Sequence, residues 1–228
     1  MRKLLSIFLF FASITGVLAQ DSLSFAAFKG GISNPLGSYG SETLPNGSFT
    51  YSGVHFSVEG AWFFSDHFGI GGLAGYDVHP VDDYALAEAR LANDEFLEEL
   101  TISSDPFRIY SGFLGGYYSL PLSKKFRFTA KLMAGVQYGQ TPYQVYKAQY
   151  FFVGKNWYEI TSASDLGFAG LTSASIEYFF NPFTSLYFDA GASYSQLKFE
   201  FNLAGDAVRT EVKDVFLITT CLGIKVHF

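Results

Sequence analysis

The residue types best suited to chemistry fall on one short stretch. His55-Phe56-Ser57 with Glu59 sets a base, a hydroxyl and a carboxylate at alternate positions. A serine nucleophile needs a histidine within hydrogen-bond reach and an acid that orients it. Alternate positions share one face of a strand, but they stand about 6.6–7 Å apart, too far for direct contact unless the side chains close the gap. Catalysis is therefore not expected, and no catalytic residue is assigned. His67, His79 and His227 are scattered, and Cys221 is the single cysteine, so no intrachain disulfide can form. No His/Cys group has metal-ligand spacing and no glycine-rich loop stands between a strand and a helix, so neither a metal nor a cofactor is expected.

The second chemical feature is a set of charges within apolar or small-residue segments, and the elements must be placed before these can be read. Period-2 alternation predicts eight strands, at about 24–34, 53–64, 68–78, 107–119, 126–139, 166–180, 185–198 and 214–228. In the second, Val54, Phe56, Val58, Gly60, Trp62 and Phe64 share one face, with His55, Ser57, Glu59 and Ala61 on the other. In the last, Phe216, Ile218, Leu222, Ile224, Val226 and Phe228 oppose Thr219, Cys221, Gly223, Lys225 and His227. The fourth strand alternates less clearly, and Gly30-Gly31 suggests a bulge in the first.

Three turn-like segments share one design: Trp62 to Phe68, Tyr117 to Phe126 and Tyr178 to Phe183 each hold a polar or proline-containing turn between aromatics. Their centres, near residues 66, 123 and 182, are spaced 57 and 59 residues apart. The weak repeat of strand, long loop, strand, short turn predicts three short turns on one side and four longer loops on the other. The fold class expected is all-β: an eight-stranded antiparallel up-and-down transmembrane β-barrel.

Composition supports the lipid-facing version. Aromatics make up 19% and charged residues only 16% of the chain, with 23 glycines. A soluble sandwich or lipocalin alternates too. Three features count against it: full charges and glycines on the polar face, aromatics beside every short turn, and a last strand ending on Phe228. At the other end, Arg2-Lys3, the apolar run from Leu4 to Leu18 and Val17-Leu18-Ala19 form a cleavable signal peptide, residues 1–19, before a barrel domain over 20–228. The apolar run is shorter than the roughly 20 residues of a membrane anchor. Removing Arg2 and Lys3 leaves 13 Lys+Arg against 21 Asp+Glu, a formal charge of −8 that argues against nucleic acid as a partner.

With these features the mature chain resembles the small outer-membrane β-barrel domain proteins, the eight-stranded OmpA/OmpX-type group and, more loosely, the PorT-like barrels. Gly223, Val226 and Phe228 match the C-terminal assembly signal of such barrels, while Cys221 is a poor match at its polar position. The resemblance implies a bacterial outer membrane, contact with its lipid, and insertion by the barrel-assembly machinery. Nothing follows Phe228, so the peptidoglycan-binding domain of some members is expected to be absent. Some eight-stranded barrels modify lipid A, but His55 and Ser57 fall on the inward face, away from any lipid substrate.

The same face assignment puts Lys29, Glu59, Arg127, Lys131, Glu177, Asp189 and Lys225 inside the barrel. An eight-stranded barrel has room inside only for side chains. These charges must then pair, or lose several kcal/mol each to desolvation. A salt-bridge network that plugs the periplasmic half is expected, with a gated or proton-conducting path as the alternative. Trp62, Phe64, Phe68, Tyr118, Phe126, Tyr178, Phe180 and Phe183 are expected to form an aromatic girdle at the periplasmic interface. Among the loops, Asp82 to Leu100 is rich in helix formers and reads as a helix, with Phe96, Leu97 and Leu100 able to pack on the rim. The loop at about 140–165 carries Tyr143, Tyr146, Tyr150, Phe151, Phe152, Trp157 and Tyr158; strand extension beyond the bilayer is favoured over a binding surface. The expected function is non-enzymatic, structural or partner-binding through the extracellular loops. A narrow channel is the main alternative, and a lipid A-modifying enzyme the weaker one.

Overall fold

The computed structural model describes residues 23–45, 47–202 and 208–228; the expected signal peptide, residues 1–19, lies outside them. In chain order the strands are β1 (Phe25–Leu36), β2 (Gly53–Phe63), β3 (Phe68–His79), β4 (Leu97–Ser104), β5 (Phe107–Pro121), β6 (Phe126–Gln140), β7 (Gln144–Tyr150), β8 (Gly154–Ile160), β9 (Ser164–Asn181), β10 (Thr184–Asn202) and β11 (Val208–His227). One α-helix, α1 (Asp83–Asn93), lies between β3 and β4. Eight strands form a closed antiparallel ring in the order β1-β2-β3-β5-β6-β9-β10-β11. The ring closes where β11 pairs back to β1, from Phe25↔His227 to Leu36↔Phe216. Closure leaves no unpaired strand edge in the ring, the condition for a sheet to sit in hydrocarbon.

The pleat sorts the side chains. Along the barrel strands the odd-numbered residues face inward and the even-numbered ones outward. The outward row is apolar all round: Leu114 is 74% exposed, Leu132 72% and Phe168 89%, joined by Phe28, Val58, Ile70, Phe188 and Leu222. The inward row carries lysines, carboxylates, serines and histidines at almost no exposure. A water-soluble barrel has the reverse arrangement, so this is the surface of a membrane-spanning barrel. The short turns end the strands by one shared device, a side-chain oxygen accepting a nearby backbone N–H. Ser65 Oγ accepts from Phe68 (2.9 Å), Ser123 Oγ from Phe126 (3.1 Å) and Asn181 Oδ1 from Phe183 (2.9 Å).

Three expectations are corrected. Gly30-Gly31 is no bulge, because β1 keeps one register with both neighbours throughout. Gly31 instead allows close strand approach: a Cβ there would lie 2.1 Å from the Thr220 carbonyl oxygen. The helix ends at Asn93 rather than Leu100, and residues 97–104 form β4. There Thr101-Ile102-Ser103 gains backbone partners from β7, outweighing the local helix preference. The 140–165 segment does not extend the barrel strands; β7 and β8 join β4 in a separate three-stranded sheet. Extension occurs in the last hairpin, where β10 and β11 stay paired out to Asn202↔Val208.

Replacing Gly31 by alanine should force apart the β1–β11 seam and destabilise the folded barrel by about 1–3 kcal/mol, the usual cost of overpacking. Gly112→Ala, where an added Cβ meets nothing within 4 Å, should be close to neutral. Thermal unfolding followed by circular dichroism compares the two. Equal stability would remove the close-approach explanation.

Candidate functional site

The site is the lumen, and it is built in layers. Nearest the short turns, Glu177 accepts from Ser185, from Lys225 Nζ (3.3 Å) and from His227 Nε2 (2.6 Å). The Lys225 ammonium lies 4.4 Å from the Phe25 ring centre and 4.6 Å from that of Tyr187. These aromatic faces, with Tyr117 edge-on to Phe25 at 5.8 Å, form an apolar floor around the charges. Arg127 lies at the rim on this side, half-buried, its guanidinium 4.6 Å from the Phe179 ring centre.

The next layer is a four-member ion-pair chain. Lys29 donates to Asp189 and Lys131 to Glu59, while Lys131 also reaches Asp189 at 3.2 Å. Ser173 Oγ donates to the second Asp189 oxygen at 3.0 Å. The four groups come from β1, β2, β6 and β10, so the network ties opposite walls of the ring. All four are buried. Removing one partner of such a chain exposes the other to an uncompensated desolvation cost.

Above this layer the structure corrects the reading of His55. Its Nε2 lies 3.0 Å from Ser57 Oγ, because the imidazole bends along the strand and closes the distance. The orienting acid is Asp77 of β3, with Oδ1 2.8 Å from His55 Nδ1; Glu59 is committed to Lys131. Hydroxyl, imidazole and carboxylate thus stand in the order used for nucleophilic catalysis. Beside His55 and Asp77 lies a cavity of about 10 Å³, lined also by Lys29, Gln137 and Asp189, with room for about one water molecule. No acyl or lipid substrate fits there. At the long-loop end an apolar plug follows: Tyr39, Phe107, Ile109, Leu197, Phe199, Val215 and Leu217 pack together across the barrel. His79 sits at its edge, held by Ser33 Oγ (3.1 Å) and the Tyr39 hydroxyl (3.2 Å).

Over the plug stands the outer unit of α1 and the β4-β7-β8 sheet. Phe49, Leu86, Ala87, Leu100, Ile102, Tyr146 and Ala148 form its core, and Val81 packs against both this core and the plug. Phe49 takes a left-handed backbone conformation (φ 52°) to reach its buried position, a local cost offset by burying the ring. Asp82 caps α1 by accepting from Ala85 N–H at 2.9 Å. That hydrogen bond, with one from the Tyr51 hydroxyl, holds its carboxyl below the usual carboxylate range. Its neighbour Asp83 moves the other way, raised by burial.

Of the seven lumenal charges expected, six form the two buried ion-pair layers, and Arg127 lies apart at the rim. The missed acid is Asp77, at an inward odd position after Gly69, Gly71, Leu73 and Gly75. Its parity in β3 was a usable signal. His227, on the same polar face of the last strand as Lys225, also joins the Glu177 layer. The aromatic positions Trp62, Phe64, Phe68, Tyr118, Phe126, Tyr178, Phe180 and Phe183 cluster around the short turns, with ring pairs such as Phe126–Tyr178 at 5.2 Å. Gly223 faces inward, where a Cβ would lie 2.5 Å from the Phe28 carbonyl oxygen, while Val226 and Phe228 face outward.

No family model and no curated protein matches the chain. Among solved structures it is similar to the outer membrane protein OprG from Pseudomonas aeruginosa, at 14% identity over 91% of this chain and 98% of that one, with a TM-score of 0.49. Neisserial surface protein A is similar at 13% identity, 90% and 97% coverage and a TM-score of 0.47. The attachment invasion locus protein Ail of Yersinia pestis is similar at 16% identity, 90% and 99% coverage and a TM-score of 0.44. The eight-stranded ring itself rests on this chain's own strand pairing.

Asp189→Ala leaves Lys29 and Lys131 without their shared acid and should destabilise the barrel by about 3–5 kcal/mol. Replacing Lys29 and Asp189 together by Met and Leu should recover much of that loss, measured by urea unfolding in detergent. A full-strength Asp189→Ala protein would show that the chain of pairs does not support the fold. The Asp82 cap carries its own pH signature: its folded pKa is depressed, so its contribution is complete above the ordinary carboxylate range and is lost as pH falls through the lower folded value. The Ala85 amide resonance should titrate with a midpoint below that range in nuclear magnetic resonance spectra; a midpoint at or above it would exclude the cap.

Proposed function

We propose that this chain is a non-enzymatic bacterial outer-membrane barrel whose lumen is shut and whose role is structural or partner-binding through the outer unit. Export through a signal peptide at residues 1–19 and insertion by the barrel-assembly machinery belong to the same proposal. The observation that carries it is the stacking of three closures in one lumen: the Phe25/Tyr117/Tyr187 floor around Lys225–Glu177, the Lys29–Asp189–Lys131–Glu59 chain, and the Tyr39 to Leu217 plug. An ion crossing the barrel must break the ion pairs and also part the apolar plug. The outer unit has its own core, as a presented binding module requires.

Two other readings each have one observation in support. The water-sized cavity between the ion-pair chain and the plug, with its ionisable lining, is what a narrow gated channel would contain. The Ser57–His55–Asp77 arrangement is what an acyl-transfer enzyme would contain, but the cavity beside its imidazole and carboxylate has room for about one water.

Residues 20–228, refolded and reconstituted in a planar bilayer, should give no discrete conductance steps even when insertion is verified by protease protection. Reproducible steps would make transport the function. Lipid A from cells with and without the gene should be identical by mass spectrometry; a modification that follows the gene would restore the enzyme reading.

A further inference from the structure

The outer sheet has one edge that nothing among the described residues covers. β7 is paired on both sides. β4 lies against α1, and the Ser104 N–H of its last residue is taken by the Asp83 carboxylate (3.2 Å). β8 pairs with β7 on one side only; its residues 154–159 are all exposed, and Ile160 is half-buried. An exposed strand of this kind presents a row of free N–H and C=O groups, and natural proteins usually blunt such edges with proline, bulges or clustered charge. β8 has no proline, pairs with β7 in unbroken register, and carries one charge of each sign.

Those two charges are placed symmetrically. β8 reads Gly154-Lys155-Asn156-Trp157-Tyr158-Glu159-Ile160, with Lys155 and Glu159 each two residues from Trp157. All three fall on the sheet face that β7 lines with Val145, Lys147 and Gln149. The other face holds Tyr146 and Ala148, which are buried against α1, with Tyr158 stacked on Tyr146 at 4.8 Å. Antiparallel pairing of two β8 strands about a two-fold axis at Trp157 sets Lys155 opposite Glu159 of the other copy, and Glu159 opposite Lys155. Trp157 meets itself, and Asn156 meets Tyr158. No other centre within the strand pairs both charges. Opposite charges and aromatic pairs directly across a ladder are the stabilising combinations, and like charges there are destabilising. Trp157, 67% exposed in the single chain, would be covered by this contact.

We propose that the free edge of β8 is a homotypic interface: two copies of this chain join their outer sheets through antiparallel β8–β8 pairing centred on Trp157. The contact is isologous and closes at two copies, so it makes dimers rather than fibres. It rests on the reading of the outer unit as the presented, interacting part of the protein, and it names the partner as a second copy.

Charge exchange tests it on the full mature chain. Residues 20–228 in detergent at low ionic strength should form a dimer by sedimentation equilibrium. K155E and E159K each set two like-charge pairs across the two-fold axis and should weaken association by about tenfold or more. An equimolar mixture of K155E and E159K proteins restores both opposite-charge pairs and should associate like wild type, as should the K155E/E159K double variant. Both residues are exposed, so folding can be checked independently by the heat-induced gel shift of the barrel. A monomeric wild-type chain, single variants that dimerise unchanged, or a mixture that fails to associate would each overturn the proposal. The shut, loop-presenting barrel is judged separately, by the silent bilayer, so the two can fail independently.

Discussion

A closed ring of eight strands leaves an interior only wide enough for side chains from opposite walls to fill. Everything else in this molecule answers to that constraint. Closure at the β1–β11 seam removes the last free edge of the ring and fixes which half of every strand points inward. Charges on the inward half have no water to retreat to, so Lys29, Asp189, Lys131 and Glu59 must satisfy one another across the lumen. The outward half faces hydrocarbon, so its residues can be as apolar as Phe168 and Leu114.

The lumen is graded along its length. Charge paired with aromatic faces occupies the short-turn end, hydrogen-bonded polar groups the middle, and aliphatic and aromatic side chains the long-loop end. The gradation explains why a hydroxyl–imidazole–carboxylate line can exist without chemistry to perform. In a packed polar lumen, Ser57, His55 and Asp77 satisfy each other because each needs a partner, and the neighbouring cavity is too small for a substrate. The apolar plug shares Val81 with the core of the outer unit, so the helix and second sheet are built directly onto the barrel's closure.

Where local pattern and tertiary pairing competed, pairing decided. Asp82 to Leu100 has the composition of one helix, but α1 stops at Asn93 and Leu100 goes into β4, because β7 supplies a ladder and the core of the outer unit takes Leu100 and Ile102. The aromatic-rich 140–165 segment forms β7 and β8, but nothing in its own sequence says that its partner is β4 rather than the barrel wall. Gly31 looked like a bulge because paired glycines often mark one; the backbone of β11 passing close by is visible only once β11 is in place.

The amino-acid sequence alone determined the eight barrel strands, their alternating faces, the three short turns, the aromatic ring around them and six of the buried lumenal charges. All of these depend on spacing along one strand, a period of two that survives without its neighbours. Only the tertiary structure decided which charges pair, that Asp77 rather than Glu59 holds His55, that the long-loop end is sealed by an apolar plug, and that a second sheet leaves one edge open. Each of these joins residues far apart in the chain, and the strand order and register that bring them together are properties of the closed ring rather than of any one segment.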